Sequence, residues 1–266
     1  MSGVRQGDSL AGEGRVALIT GAGGGIGRGV AKAFAEAGYH VLVADIDADA
    51  GRDIVRELEE AGLVALFVET DVTDEESVAA AVAAAKEAWG RLDFVLNNAG
   101  IVGHSQPIEQ LDVANLERVL AVNLRGPFLV CKHAAAGMRP AGGSIVNISS
   151  ITASNGSPYF TAYGASKAGV EALTRGIARN LGRFNIRVNC LRPGSIAGTD
   201  LMADFYAGQP ELKVKESRGL RMKIPVGRLG QPQDISNLAL FLASPLSRHI
   251  NGEVLTVDGG ESLGFQ

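Results

Sequence analysis

Cysteine is almost missing from this chain: Cys131 and Cys190 are the only two among 266 residues. A disulfide framework or a thiolate zinc site needs more cysteines at tighter spacing. Each of the two stands in an apolar run, where a thiol acts as a small hydrophobe, and their scarcity fits a reducing, cytoplasmic setting. Histidine is sparse as well. His40, His104, His133 and His249 form no pair at helical ligand spacing, so no metal is expected. Basic clusters are absent, and a net charge of −4 argues against a nucleic-acid partner. No uncharged apolar run reaches the roughly 18 residues of a membrane span. The N-terminus has no apolar signal core, and residues 1–13 read as a flexible, polar leader.

Glycine, in contrast, is abundant at 35 residues, in a chain with 46% hydrophobic and 20% charged residues. That balance supports a sizeable globular core. Val16-Ala17-Leu18-Ile19 is an apolar run closed by Thr20-Gly21 and reads as a buried strand. The glycine-dense turn Gly21-Ala22-Gly23-Gly24-Gly25-Ile26-Gly27 follows, then an amphipathic helix over 30–38 that stops at Gly38. Strand, glycine turn and helix together make a phosphate site. The glycines admit a tight turn and close approach to a pyrophosphate, and the helix presents free N–H groups and a positive dipole end. Residues 40–44 form a second strand that ends at Asp45, near the spacing of about 20 residues at which an acid meets the adenosine ribose. A carboxylate there accepts both ribose hydroxyls and repels a 2′-phosphate. Position 24 is Gly and supplies no cation for such a phosphate. The expected cofactor is therefore NAD.

Strands and helices then alternate: helix 47–61, strand 64–68, an Ala-rich helix up to Trp89-Gly90, and strand 92–96 ending in Asn97-Asn98-Ala99-Gly100. Small residues at that strand end let a flat ring approach the backbone. A helical stretch over 111–138 is interrupted by Asn123 among apolar neighbours, which needs partners if buried. Strand 144–148 ends at Ser149-Ser150, a loop covers 151–162, and a helix spans 163–183. Strand 186–191 is broken by Pro193-Gly194. A long irregular segment around 195–225 reads as a substrate lid, its cations at 213–223 diluted by Glu211 and Glu216. Helix 232–243 and strand 254–257 close the pattern. The alternation predicts one α/β domain over 14–266: a Rossmann-type, doubly wound, mainly seven-stranded parallel sheet with helices on both faces. Ligands in such sheets bind outside the carboxyl ends of the strands, where Asp45, Asn98, Ser150 and Pro193-Gly194 all fall. Tyr159 and Phe160 are candidates for the pocket wall, and His104 reads as a surface-loop residue.

Tyr163 and Lys167 lie four residues apart in the helix opening, hence on one face. A neighbouring cation lowers a phenol's pKa. Bringing it from about 10 to near 7 takes roughly 4 kcal/mol, which one close lysine plus a cationic cofactor ring could supply.

The ordered set Thr20-Gly21-x-x-x-Gly25-Ile26-Gly27, Asn97-Asn98-Ala99-Gly100, Asn123, Ser150, Tyr163-x-x-x-Lys167 and Pro193-Gly194 resembles the short-chain dehydrogenase/reductase family, in its single-domain branch. The resemblance covers about residues 14 to 260. It implies a catalytic set of Asn123, Ser150, Tyr163 and Lys167. In that scheme Tyr163 exchanges the proton with the substrate oxygen, and Ser150 holds that oxygen. Lys167 tunes the tyrosine and binds the nicotinamide ribose, and Asn123 supports a water leading from Lys167 to solvent. Asp71 and Val72 would meet the adenine, Asn98, Ala99 and Gly100 the ribose region, and Pro193, Gly194 and Ile196 the carboxamide end. One residue is inserted between Ile196 and Thr199 relative to the usual pattern, which puts a Thr199 contact with the cofactor in question. The implied activity is NAD-dependent interconversion of a secondary alcohol and a ketone, on a small-molecule substrate, by a homotetramer. Alternatives are a 3-oxoacyl-thioester reductase, against which Asp45 argues, and a non-catalytic NAD-binding regulator, against which the intact catalytic set argues. The longer epimerase branch is excluded by length and glycine spacing.

Overall fold

The computed structural model describes residues 10, 12–139, 141–199 and 224–263. Most of the expected lid, and most of the expected leader, therefore lie outside the described residues. Gly12 is nonetheless part of the fold. Its N–H donates to Ala37 O at 2.7 Å, and a Cβ there would sit 1.9 Å from the Tyr39 ring.

Seven parallel strands form one sheet: β1 (Val16–Thr20), β2 (His40–Asp45), β3 (Ala65–Glu69), β4 (Phe94–Asn97), β5 (Gly143–Ile148), β6 (Ile186–Pro193) and β7 (Val254–Val257). Their order is β3-β2-β1-β4-β5-β6-β7. The direction of winding reverses between β1 and β4, which opens a crevice at their carboxyl ends. The central strands are apolar without alternation because both faces are covered by helices. Ala17 and Ile19 face one core with α1 (Gly25–Glu36), α2 (Ala48–Glu60) and α8 (Pro232–Ala243). Val16 and Leu18 face the other, with α3 (Glu75–Trp89), α5 (Gly126–Met138) and α7 (Thr161–Leu181).

Three local differences from the sequence expectation bear on the site. Helix α1 starts at Gly25 instead of Val30, because the turn needs only Gly21 to Gly24 and Gly24 is already the N-cap. The helix expected over 111–138 is divided into α4 (Val113–Leu120), one π-helical turn (Ala121–Arg125) and α5. Pro127 explains the widening: it has no N–H to give the carbonyl four residues earlier, that of Asn123, and its ring would collide with it. The loop after β5 contains a one-turn helix, α6 (Thr152–Asn155), and α7 begins at Thr161, ahead of Tyr163.

The first core centres on Phe34 of α1, which is fully buried and stacks on Phe94 at 4.4 Å and against Tyr39 at 4.8 Å. Phe34→Ala should lower unfolding stability by about 3–5 kcal/mol. A urea transition within about 1 kcal/mol of the unsubstituted protein would contradict this packing.

Candidate active site

At the crevice, glycine is required by close approach. A Cβ on Gly27 would lie 2.0 Å from Gly21 O, and one on Gly21, whose φ is +61°, would lie 2.8 Å from Ala99 Cα. The ends of β1 and β4 are laced together around this turn. Asn98 Nδ2 donates to Thr20 O at 3.1 Å and to Gly21 O at 2.8 Å, while Thr20 Oγ1 accepts the N–H groups of Asn98 and Ala99. Gly24 gives α1 no side-chain cap and its first turn has no acid, so the N–H groups there are open to an anion. A turn held open by glycine and backed by helix N–H groups with no side-chain cap among the described residues fits a dinucleotide pyrophosphate.

Asp45 stands at the rim of this cradle. Its Oδ2 accepts Gly23 N–H at 2.8 Å and its Oδ1 accepts Asp47 N–H at 2.9 Å, which leaves lone pairs on both oxygens for ribose hydroxyls. The sequence reading overlooked Arg28. Its Nη1 lies 3.4 Å from Gly23 O, but its Nη2 is held by Asp53 at 2.9 Å and Glu57 at 2.6 Å. The cation beside the turn is thus neutralised by two carboxylates, and no motif in the sequence foretold that. Asp71 follows β3 and accepts both the N–H and the Oγ1 of Thr73 at 2.8 Å. Val72 is buried next to it, against Gly126.

The second half of the site gathers on one face of α7. Tyr163, Lys167 and Glu171 are buried in succession there. Lys167 Nζ donates to Ile148 O at 2.8 Å and lies 5.7 Å from the centre of the Tyr163 ring. Ser149 is turned inward, donating to Glu171 Oε1 at 2.8 Å and to Lys167 O. Ser150, unlike Ser149, acts on the Tyr163 phenol, drawing its pKa down against burial. Asn123 sits inside the π turn, fully buried. Its Oδ1 accepts Ile101 N–H and its Nδ2 donates to Ile101 O, both at 2.8 Å, and to Ser166 Oγ at 3.0 Å. A Cβ on Gly100 would fall 3.2 Å from Asn123 Oδ1 and 3.4 Å from Lys167 Nζ, so the two side chains flank one small gap.

The electrostatics differ from the sequence expectation. Burial pushes the Tyr163 phenol up to about 12, with the Ser150 hydrogen bond pulling partly the other way. Burial also draws Lys167 down to about 8, opposed by neighbouring Cys190. Lys167 does not lower the phenol here: its ammonium donates to Ile148 O, and burial is the largest influence on both groups.

Beyond β6, Gly194 packs where a Cβ would meet Asp258 Cβ and Glu261 Oε2, each at 2.6 Å. Glu261, also missed from sequence, accepts the N–H and the Oγ of Ser195 at 2.7 Å each. Ile196 bridges to Gly230. Thr199 Oγ1 donates back to Ile196 O at 3.2 Å, and its side chain lies beside Gly25. Tyr159 is exposed, and His104 is an exposed loop residue 3.8 Å from Asp112. Both thiols are buried and pushed up to about 12 by desolvation. Among the described residues, no group of three His, Cys, Asp or Glu is placed to hold a metal, and no helix is long and apolar enough to cross a membrane.

Known proteins are similar to this chain over nearly its whole length. The family model described as Enoyl-(Acyl carrier protein) reductase matches residues 21–262. A cis-4-hydroxycyclohexanecarboxylate dehydrogenase of Sinomonas cyclohexanicum is 42% identical over 92% of this chain and 96% of its own length. The 7alpha-hydroxysteroid dehydrogenase of Escherichia coli (strain K12) is 39% identical over 95% of this chain and 96% of its own. A solved 7alpha-hydroxysteroid dehydrogenase, complexed with NADH and 7-oxo glycochenodeoxycholic acid, superposes with a TM-score of 0.89 at 38% identity, covering 97% of this chain and 98% of that one. With the glycine cradle, the Asp45 rim and the Tyr163–Lys167 face all in place, the chain belongs to the short-chain dehydrogenase/reductase family of oxidoreductases.

Proposed function

We propose that this protein is an NAD-dependent dehydrogenase that interconverts a secondary alcohol and a ketone, with Tyr163 as the general acid/base. The observation that carries the reading is the buried Tyr163, with Lys167 buried on the same helix face 5.7 Å from its ring and tied to the end of β5, next to Ser150. When bound, NAD supplies the hydride acceptor. Gly21, Gly25, Ile26 and Gly27 would hold its pyrophosphate, Asp45 the adenosine ribose, and Asp71 and Val72 the adenine. Asn98, Ala99 and Gly100, with Lys167, would line the second ribose, and Pro193, Gly194 and Ile196 the carboxamide.

In this reading Ser150 donates a hydrogen bond to the substrate oxygen and fixes it near Tyr163. Tyr163 Oη takes the hydroxyl proton during oxidation and returns it during reduction. A phenol pushed up to about 12 by burial is protonated at neutral pH, the form that gives its proton to the substrate oxygen during reduction. Lys167, drawn down to about 8, can gain or lose a proton near neutral pH. The gap between Lys167 and Asn123 is where a water would relay that proton outward. Asp45, with Arg28 already engaged by Asp53 and Glu57, supports NAD over NADP.

The relatives include dehydrogenases of hydroxycyclohexanecarboxylates, a hydroxysteroid and L-fucose, and a solved 3-ketoacyl-(acyl-carrier-protein) reductase with NADH. A cyclic secondary alcohol is the substrate class this set favours. A panel of cis- and trans-4-hydroxycyclohexanecarboxylate, a 7α-hydroxysteroid, L-fucose and a 3-hydroxyacyl thioester, read by NADH formation, tests it. Fastest turnover of the thioester would favour the reductase alternative. We also infer a homotetramer in the cytoplasm, in keeping with the outward-facing Phe128 of α5 and the two free thiols.

Tyr163→Phe should abolish turnover while NADH binding, read by fluorescence, stays nearly intact. In the unsubstituted enzyme kcat/KM for oxidation should rise with pH as the tyrosine ionises. Residual turnover of the variant at a similar rate sinks the assignment. The kcat/KM with NAD should exceed that with NADP by about 100-fold or more, about 2.7 kcal/mol, and Asp45→Asn should narrow the gap; equal efficiency with both cofactors refutes it. Light scattering should give four times the 27.6 kDa chain mass, and a monomeric mass contradicts the tetramer.

A further inference from the structure

Ser150 has a neighbour whose chemistry the family motifs do not use. Thr152, two residues on and at the start of α6, makes two contacts with Ser150 Oγ. Its backbone N–H donates at 3.2 Å, and its Oγ1 lies 2.9 Å away as a donor. A serine hydroxyl has two acceptor lone pairs and one proton. The backbone N–H occupies one lone pair of Ser150, and when Thr152 Oγ1 donates to the other the remaining capacity of Ser150 is to donate. Ser150 draws the Tyr163 phenol down against burial, as a hydroxyl donor facing that phenol does, so the proton Ser150 keeps is the one available to the phenol oxygen and to a substrate oxygen beside it. The phenol proton, in turn, cannot be given to Ser150 and is left for the substrate.

Helix packing holds Thr152 in place. Its carbonyl lies 3.1 Å from where a Cβ would stand on Gly164, the residue after Tyr163. The glycine thus lets the Thr152 turn sit directly on the helix that carries the tyrosine. Thr152 and the Ser150 proton are registered against Tyr163 by one short contact rather than by the length of the intervening loop.

We propose that Thr152 is a positioning residue that sets the direction of the Ser150 hydroxyl, making Ser150 a donor only and Tyr163 the sole proton exchanger. The proposal rests on the reading of Ser150 and Tyr163 given above. Removing the Thr152 hydroxyl frees a lone pair on Ser150. The phenol can then donate to Ser150 in a non-productive arrangement, which stabilises its protonated form.

The test compares Thr152→Val, which keeps the side-chain shape, with Thr152→Ser, which restores the hydroxyl. Ser150→Ala and Tyr163→Phe serve as reference arms. All are assayed with NAD and the panel alcohol that the unsubstituted enzyme oxidises fastest. Thr152→Val should lose about 10-fold in kcat, the worth of one hydrogen bond in the reacting complex, with KM for NAD and NADH fluorescence unchanged. The acidic limb of its kcat/KM profile should move to higher pH. The ultraviolet phenolate signal that Tyr163→Phe removes should move the same way, and Thr152→Ser should restore both. An unchanged kcat and pH limb in Thr152→Val, or a Thr152→Ser variant as impaired as the valine, overturns the proposal. If Ser150→Ala is inactive in that case, only the role of Thr152 falls. A Ser150→Ala variant with full turnover removes the underlying reading as well.

Discussion

A buried ammonium fastens helix α7 to the sheet. Lys167 Nζ reaches the carbonyl of Ile148, the last residue of β5, and one turn further along the helix Glu171 completes the attachment. Burial alone would push the Glu171 carboxyl up, but bonds from Arg192 and Ser149 outweigh it and hold the group below its ordinary value. Arg192 grips that carboxylate with two N–H groups at 2.8 and 2.7 Å, the paired geometry that makes guanidinium–carboxylate contacts strong and directional. One helix face is thereby bonded to the ends of both β5 and β6. Tyr163 stands on that face and Ser150 at the end of β5. Their separation is therefore set by polar contacts that fail if either element slides by a residue.

The same sheet serves the cofactor half through its winding. The strand order reverses between β1 and β4, and the crevice so formed is closed from below by Thr20 and Asn98. Their side chains satisfy backbone groups that a strand end would otherwise leave open. The glycine turn and the proposed proton-exchanging Tyr163 with Ser150 then lie at strand ends of one sheet. Hydride transfer between two bound molecules depends on such alignment.

Much of this was readable in advance where one residue type has one physical use. Glycine at 21 and 27 is needed because a Cβ would strike backbone, and a strand ending in an acid after such a turn marks the ribose. The apolar runs of β1, β4, β5 and β6 betray a sheet covered on both faces. Less legible were effects that depend on partners distant in sequence. Arg28 looks like a free cation until Asp53 and Glu57 of α2 are seen around it. Glu261, just after β7, holds Ser195, just after the neighbouring β6. Pro127 was available to predict the π turn, but its consequence falls on the carbonyl of Asn123, one turn earlier.

The sequence by itself determined the class: an alternating α/β chain with a glycine turn, an acid at the rim, and a tyrosine and lysine at helical spacing. Those features follow from local periodicity and from residue types that cannot be exchanged at their positions. Only the tertiary structure decided the state of Tyr163 and Lys167. Spacing suggested that Lys167 lowers the tyrosine pKa, yet packing buries both groups and turns the ammonium to a carbonyl, so Tyr163 is driven up and Lys167 down. Proximity along a helix is a local property, whereas desolvation is set by everything packed around it. In this protein burial is the largest influence on both groups.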